Sequence, residues 1–182
     1  IFILTKIFLN KDIREIGSGN IGATNVLRAG NKTIGYATLF FDIFKAVAPV
    51  LYVKFFFPEL IYIASLCVFL GHVFPIWANF RGGKGVATLL GMTLAIQPIV
   101  ALICLVVFLI SLISTRFVSL SSILASIAFM VLILYVFNEK EILYRYFAMI
   151  VAIMVVVTHH KNISRLYKGT ETKLPIFKKR DK

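Results

Sequence analysis

Residues 98–114 read PIVALICLVVFLISLIS, seventeen positions without one charged side chain. A helix needs about 20 mostly apolar residues to cross the hydrocarbon core of a bilayer, and roughly 17 is the lower end of that range. Outward from this run, apolar segments recur at 33–55, 59–78, 86–96, 117–137 and 142–158. Residues 1–9 share their character but are too short to span at ~1.5 Å per residue, so they read as the end of a truncated first helix. No small-residue cleavage site follows them, which argues against a signal peptide. With that segment the count reaches seven. Of the 182 residues, 59% are hydrophobic and 15% charged, and the mean hydropathy of +0.90 lies far above that of a water-soluble domain. The class expected is an all-α membrane protein, a polytopic bundle of about seven transmembrane helices forming a single domain over 1–182. The 86–96 segment is short for a span, and Gln97-Pro98 ends it because proline does not continue a helix.

The net charge is +12. On a soluble chain that would suggest nucleic acid; here the basic residues bracket apolar spans, which points to topology and anionic headgroups instead. Seven crossings place 10–32, 79–85, 115–116 and 159–182 on one face, with fifteen Lys and Arg, against Lys54, Lys140 and Arg145 for the other. The positive-inside rule makes the first face cytoplasmic. The polar, glycine-bearing segments 17–28, 71–88 and 159–173 all fall on it. Cys67 and Cys104 lie inside apolar segments and read as small buried hydrophobes, with no disulfide framework.

Three stretches stand apart from this oil. Residues 17–28 read GSGNIGATNVLR. Gly17 and Gly19 can place backbone N–H groups in a concave nest that binds phosphate. Ser18, Asn20, Thr24 and Asn25 add neutral hydrogen-bonding groups, and Arg28 a planar fork suited to phosphate. An ordinary helix-linking loop with capping side chains has the same composition. Residues 71–88 read GHVFPIWANFRGGKGVAT. The spacing is not that of a nucleotide-binding P-loop, and no strand precedes it. Gly82, Gly83 and Gly85 free the backbone, Lys84 brings a point charge, and a helix opens at Val86 beside it. A positive-inside anchor would explain the lysine but not three glycines. The commoner role for His72, near the end of its span, is packing or capping. In 158–173, His159 and Asn162 share a face if their helix continues, with a proton-handling imidazole. A basic tail lying on anionic lipid is the alternative. Asp42 and Lys45, three apart inside a span, read as a mutual ion pair or as part of a substrate path. No clustered carboxylates suggest a metal, and no cofactor is expected.

Together, Gly-Ser-Gly-Asn-x-Gly-Ala-Thr-Asn-x-x-Arg at 17–28, Gly-His-x-Phe-Pro at 71–75 with Arg-Gly-Gly-Lys-Gly-Val-Ala-Thr at 81–88, and the His-x-x-Asn-Ile motif resemble the bacterial acyl-phosphate:glycerol-3-phosphate acyltransferases. The resemblance implies a seven-helix enzyme of the bacterial cytoplasmic (inner) membrane, active at the cytoplasmic face. It implies transfer of an acyl group from acyl phosphate to the 1-hydroxyl of glycerol 3-phosphate, giving lysophosphatidic acid and phosphate. Ser18, Asn20, Thr24, Asn25 and Arg28 match its first motif. Gly82, Gly83, Lys84 and Gly85 match the second, His159 and Asn162 the third, and Glu171 a tail motif. On that footing the first motif and Lys84 hold the acyl phosphate, while Arg28 and the third motif orient glycerol 3-phosphate. The hydroxyl proton goes to His159 or to a phosphate oxygen of the substrate. Ser18 is an alternative nucleophile. The partners are these two substrates and membrane lipid, not nucleic acid. A transporter or flippase for a phosphorylated solute is the rival reading, though no internal repeat supports it.

Overall fold

The computed structural model describes residues 22–28 and 32–174, and these are all-α. Eight α-helices occur among them: α1 (Ala23–Arg28), α2 (Lys32–Phe56), α3 (Ile61–Val73), α4 (Val86–Ile96), α5 (Pro98–Thr115), α6 (Val118–Val131), α7 (Ile142–Thr158) and α8 (His160–Tyr167). Single 3-10 turns at Pro58–Leu60 and Ile76–Ala78 flank α3, and α6 continues as a π-helical turn over Leu132–Val136. The chain divides between Ile96 and Gln97 into two compact units.

In the first unit α4 packs along α2. Gly91 permits the approach: a Cβ there would meet the Ile43 carbonyl oxygen at 2.5 Å and the Ala46 Cβ at 3.0 Å. Small residues at a membrane-helix interface let backbones come together where no hydrophobic force separates helix from lipid. At the other end of α4, the Lys54 ammonium donates to the carbonyls of Ala95 (2.8 Å) and Ile96 (3.1 Å). A cation there satisfies terminal carbonyls and complements the helix dipole.

In the second unit Pro98 opens α5, where its missing N–H costs nothing. Arg116 closes it in the left-handed region, at φ 64°. Serines on α6 turn their hydroxyls back to carbonyls of their own helix, Ser121 to Phe117 and Ser122 to Val118. Such bonding satisfies a hydroxyl in a medium without water. Ser121 also donates to Ser111 of α5 at 3.2 Å. Phe129, Tyr144 and Phe147 form the aromatic core, with centroids 6.3–6.5 Å apart.

Among the described residues, three segments are long and apolar enough to cross a membrane: Pro58–Ala78, Pro98–Thr115 and Val118–Val136. A fourth arises if α7 and α8, bent by 56°, are one broken span. The α2 helix has 25 residues but carries Asp42 and Lys45 in its middle. The α4 helix has only 11 residues, so it reaches ~16 Å, about half of a ~30 Å hydrocarbon core. The all-α membrane class stands, and the 86–96 segment is as short in the fold as the sequence reading has it. Cys67 is exposed on its helix and Cys104 half-buried. Neither is the buried hydrophobe expected, because the outer face of an apolar helix is as apolar as its core.

Candidate functional site

The segment 74–85 returns the chain from the end of α3 to the start of α4. Pro75 and the Ile76–Ala78 turn reverse it, with Asn79 and Phe80 at positive φ (52° and 58°). It then lies back on α3: the Gly82 N–H donates to the Val73 carbonyl at 3.0 Å and the Gly83 N–H to the His72 carbonyl at 3.1 Å. These two N–H groups are thus engaged by protein, which corrects the expectation that Gly82 and Gly83 free their backbone for an anion. The glycines answer to packing. A Cβ on Gly82 would run into the carbonyls of His72 and Val73, and one on Gly83 into the His72 ring. Gly85 has φ +82°, and its Cβ would strike the Phe69 ring.

What remains for an anion is the opening of α4. The first N–H groups of a helix lack intrahelical partners and carry the positive end of its dipole. The first bond of this helix is from the Leu89 N–H to the Gly85 carbonyl. Lys84, half-buried, immediately precedes that turn. Thr88, in the same turn, is fully buried, and its Oγ1 has no hydrogen-bond partner. A buried hydroxyl is normally satisfied, so this one holds unspent hydrogen-bonding capacity within the first turn of α4.

Behind the loop stand Asp42, Lys45 and His72. The Lys45 ammonium lies 2.5 Å from Asp42 Oδ1 and 2.7 Å from His72 Nδ1. The Asp42–Lys45 pair read from the sequence is present; His72, 27 residues further along, is its unforeseen third member. Earlier in this unit, α1 carries Thr24 half-buried and Asn25 buried, and Arg28 closes it. Gly17, Ser18, Gly19 and Asn20 lie outside the described residues.

The second unit holds another polar cluster. His159 sits where α7 and α8 bend apart, so the helix does not continue straight through it to Asn162. His159 is buried, and its Nδ1 lies 2.7 Å from the Val155 carbonyl. A carbonyl only accepts, so Nδ1 carries the proton and Nε2 is the basic nitrogen. Asn162 Nδ2 donates to Glu171 Oε1 at 2.8 Å, Ser119 Oγ to the same oxygen at 2.9 Å, and Arg165 Nε to Oε2 at 2.7 Å. Asn162, expected to orient substrate, is thus a ligand of Glu171. Burial alone would raise the Glu171 carboxyl; the hydrogen bonds from Arg165, Asn162 and Ser119 and the charge of Arg165 outweigh it and hold the group below its ordinary value. The Leu174 N–H, three residues on, donates to the Arg116 carbonyl at 2.8 Å.

A family model for glycerol-3-phosphate acyltransferase matches residues 1–169, across both units. The glycerol-3-phosphate acyltransferase of Pelagibacter ubique is 51% identical over 97% of this chain and 90% of its own length. That of Macrococcus caseolyticus is 40% identical over the same shares. Among solved structures, the chain is similar to PlsY, an integral membrane glycerol 3-phosphate acyltransferase, in its glycerol 3-phosphate form. The TM-score is 0.88 and the identity 36%, over 94% of this chain and 86% of that one. The lysophosphatidic acid form of that protein matches with a TM-score of 0.82 at 35% identity.

Proposed function

The chain belongs to the glycerol-3-phosphate acyltransferase family of integral membrane enzymes, and from that premise we propose how its residues divide the work. The reaction acylates glycerol 3-phosphate to lysophosphatidic acid. The donor we propose is an acyl phosphate. The 1-hydroxyl oxygen attacks the acyl carbon, the bond from that carbon to the phosphate oxygen breaks, and inorganic phosphate leaves. A mixed anhydride is already activated, so no acyl-enzyme is needed, and Ser18 is assigned to binding rather than to nucleophilic attack.

Both proposed substrates carry phosphate, and the observation that carries this reading is the opening of α4. Lys84 supplies a point charge there, the first helical turn supplies dipole and N–H donors, and the buried Thr88 hydroxyl stands in the same turn. Donors fixed in advance stabilise charge as it develops on a departing phosphate. Asn25 and Thr24 on α1, and Arg28 with its fork, are proposed as further phosphate ligands alongside residues 17–20. His159 Nε2 and a substrate phosphate oxygen are the two candidates for taking the hydroxyl proton.

The fifteen-to-three bias of basic residues supports the bacterial cytoplasmic membrane as location, with the active face inward. The unbroken family match supports one acyltransferase domain over 1–182.

The test is phosphate release from a synthetic acyl phosphate by purified protein, with and without glycerol 3-phosphate. Release should depend on the acceptor and fall by at least 10²-fold in Lys84→Ala, the scale of one lost oxyanion-type donor. Acceptor-independent release, or an acyl adduct on Ser18 by intact mass, sinks direct transfer.

A further inference from the structure

We propose that the buried Asp42 and His72, bridged by the partly exposed Lys45, form a positioning set that holds the glycine loop and, through it, aims Lys84. The proposal rests on the reading of the α4 opening as the phosphate seat. Charges inside membrane helices are costly and are kept where they are paired or used. An i,i+3 pair of Asp42 and Lys45 on α2 would satisfy the cost by itself. The structure adds a third group from another helix. The side chains of Asp42 and His72 are only 5% and 6% exposed, and His72 Nδ1 lies 3.8 Å from Asp42 Oδ1. Lys45 bridges them.

The orientation of His72 follows from the donor inventory. An ammonium has only donors. Nδ1 of His72 therefore accepts from Lys45, and the ring proton sits on Nε2. That edge of the ring occupies the space a Cβ on Gly83 would need. The backbone of the same residue is tied too, since the His72 carbonyl accepts the Gly83 N–H. His72 is thus pinned by Lys45 on one side, and on the other it fixes Gly83 by contact and by hydrogen bond. The next residue is Lys84. A misplacement of about 1 Å in such a group can cost ~10²-fold in rate.

A double-mutant cycle on the full protein tests this, read as kcat/KM for phosphate release dependent on glycerol 3-phosphate. His72→Ala should lower the value by about 10–100-fold in the native background. Where Lys84 is replaced by Ala, or by Arg if residual activity is too low, the same change should cost no more than about 3-fold, because residues acting as one unit are non-additive. His72→Asn returns an acceptor near the Nδ1 position and should recover part of the loss. Should His72→Ala not be recovered folded, Gly83→Ala, which drives a methyl into the ring, runs the same cycle from the loop side. Equal losses in both backgrounds, or no advantage of His72→Asn over His72→Ala, overturn the positioning role while leaving Lys84 in place. Full activity of Lys84→Ala removes the phosphate seat itself, and this proposal with it.

Discussion

At the residue scale, His159 has a defined chemical state. Its Nδ1 proton is held by the Val155 carbonyl, which leaves the proton-accepting role to Nε2. A general base typically contributes 10²–10⁴-fold. His159→Ala should therefore lower kcat by ~10²–10⁴ and flatten the acidic limb of the pH–rate profile, if the imidazole takes the hydroxyl proton. Near-native activity with an unaltered profile would assign the proton to a substrate phosphate oxygen instead. Gly85 makes a separate claim. At φ +82°, alanine costs about 1–2 kcal/mol from the backbone alone, before its methyl meets Phe69. Gly85→Ala should lower the melting temperature measurably, whereas Gly71→Ala, with nothing within 4 Å of the new methyl, should not. Equal melting temperatures for the two would show that the loop relaxes freely. The sequence singled out the glycines but not their reason. Composition speaks for an open nest and close packing alike, and only the neighbours of each Cβ separate the two.

At the element scale, α8 and the turn after it depend on one carboxylate. Ser119, Asn162 and Arg165 all donate to Glu171, so a residue of the tail ties α6 to α8. The Glu171 carboxyl is held below its ordinary value. A depressed folded-state value means that the carboxylate contributes stability fully above the ordinary glutamate range. That contribution fades as pH falls through the folded-state value. Thermal unfolding across the acidic range should show this loss, and Glu171→Gln should have a lower stability near neutral pH and a shallower dependence below it. Parallel curves for the two proteins would remove Glu171 as the cause. Spacing alone did not reveal this cluster. Asn162 and Arg165 are near Glu171 in sequence, but Ser119 lies 52 residues away. The helices themselves were legible, since apolar runs and their Pro, Gly and Asn breaks are local signals. The bend at His159 was not, because no proline or glycine marks it.

At the scale of the whole molecule, the side of the membrane on which each polar segment lies decides which pool of soluble substrate it meets. Composition carried the all-α membrane class, because no water-soluble core needs so many uncharged runs. Hydropathy could not carry the count of crossings: α4 is as apolar as a span yet has only 11 residues, and α2 is long enough yet holds an ion pair in its middle. The charge bias is the more robust signal, since it is read from loops and not from helix lengths. It predicts that Arg81, exposed before the glycine loop, and Lys168, exposed at the end of α8, are both cytoplasmic. Cysteine placed singly at each position, in a chain with Cys67 and Cys104 replaced by serine, should resist a membrane-impermeant maleimide in intact cells and react after permeabilisation. Labelling at 81 in intact cells would turn the phosphate seat away from the cytoplasmic substrate pool. Labelling at 168 alone would instead mark an odd number of crossings between the two positions, the outcome that the short α4 helix makes worth measuring.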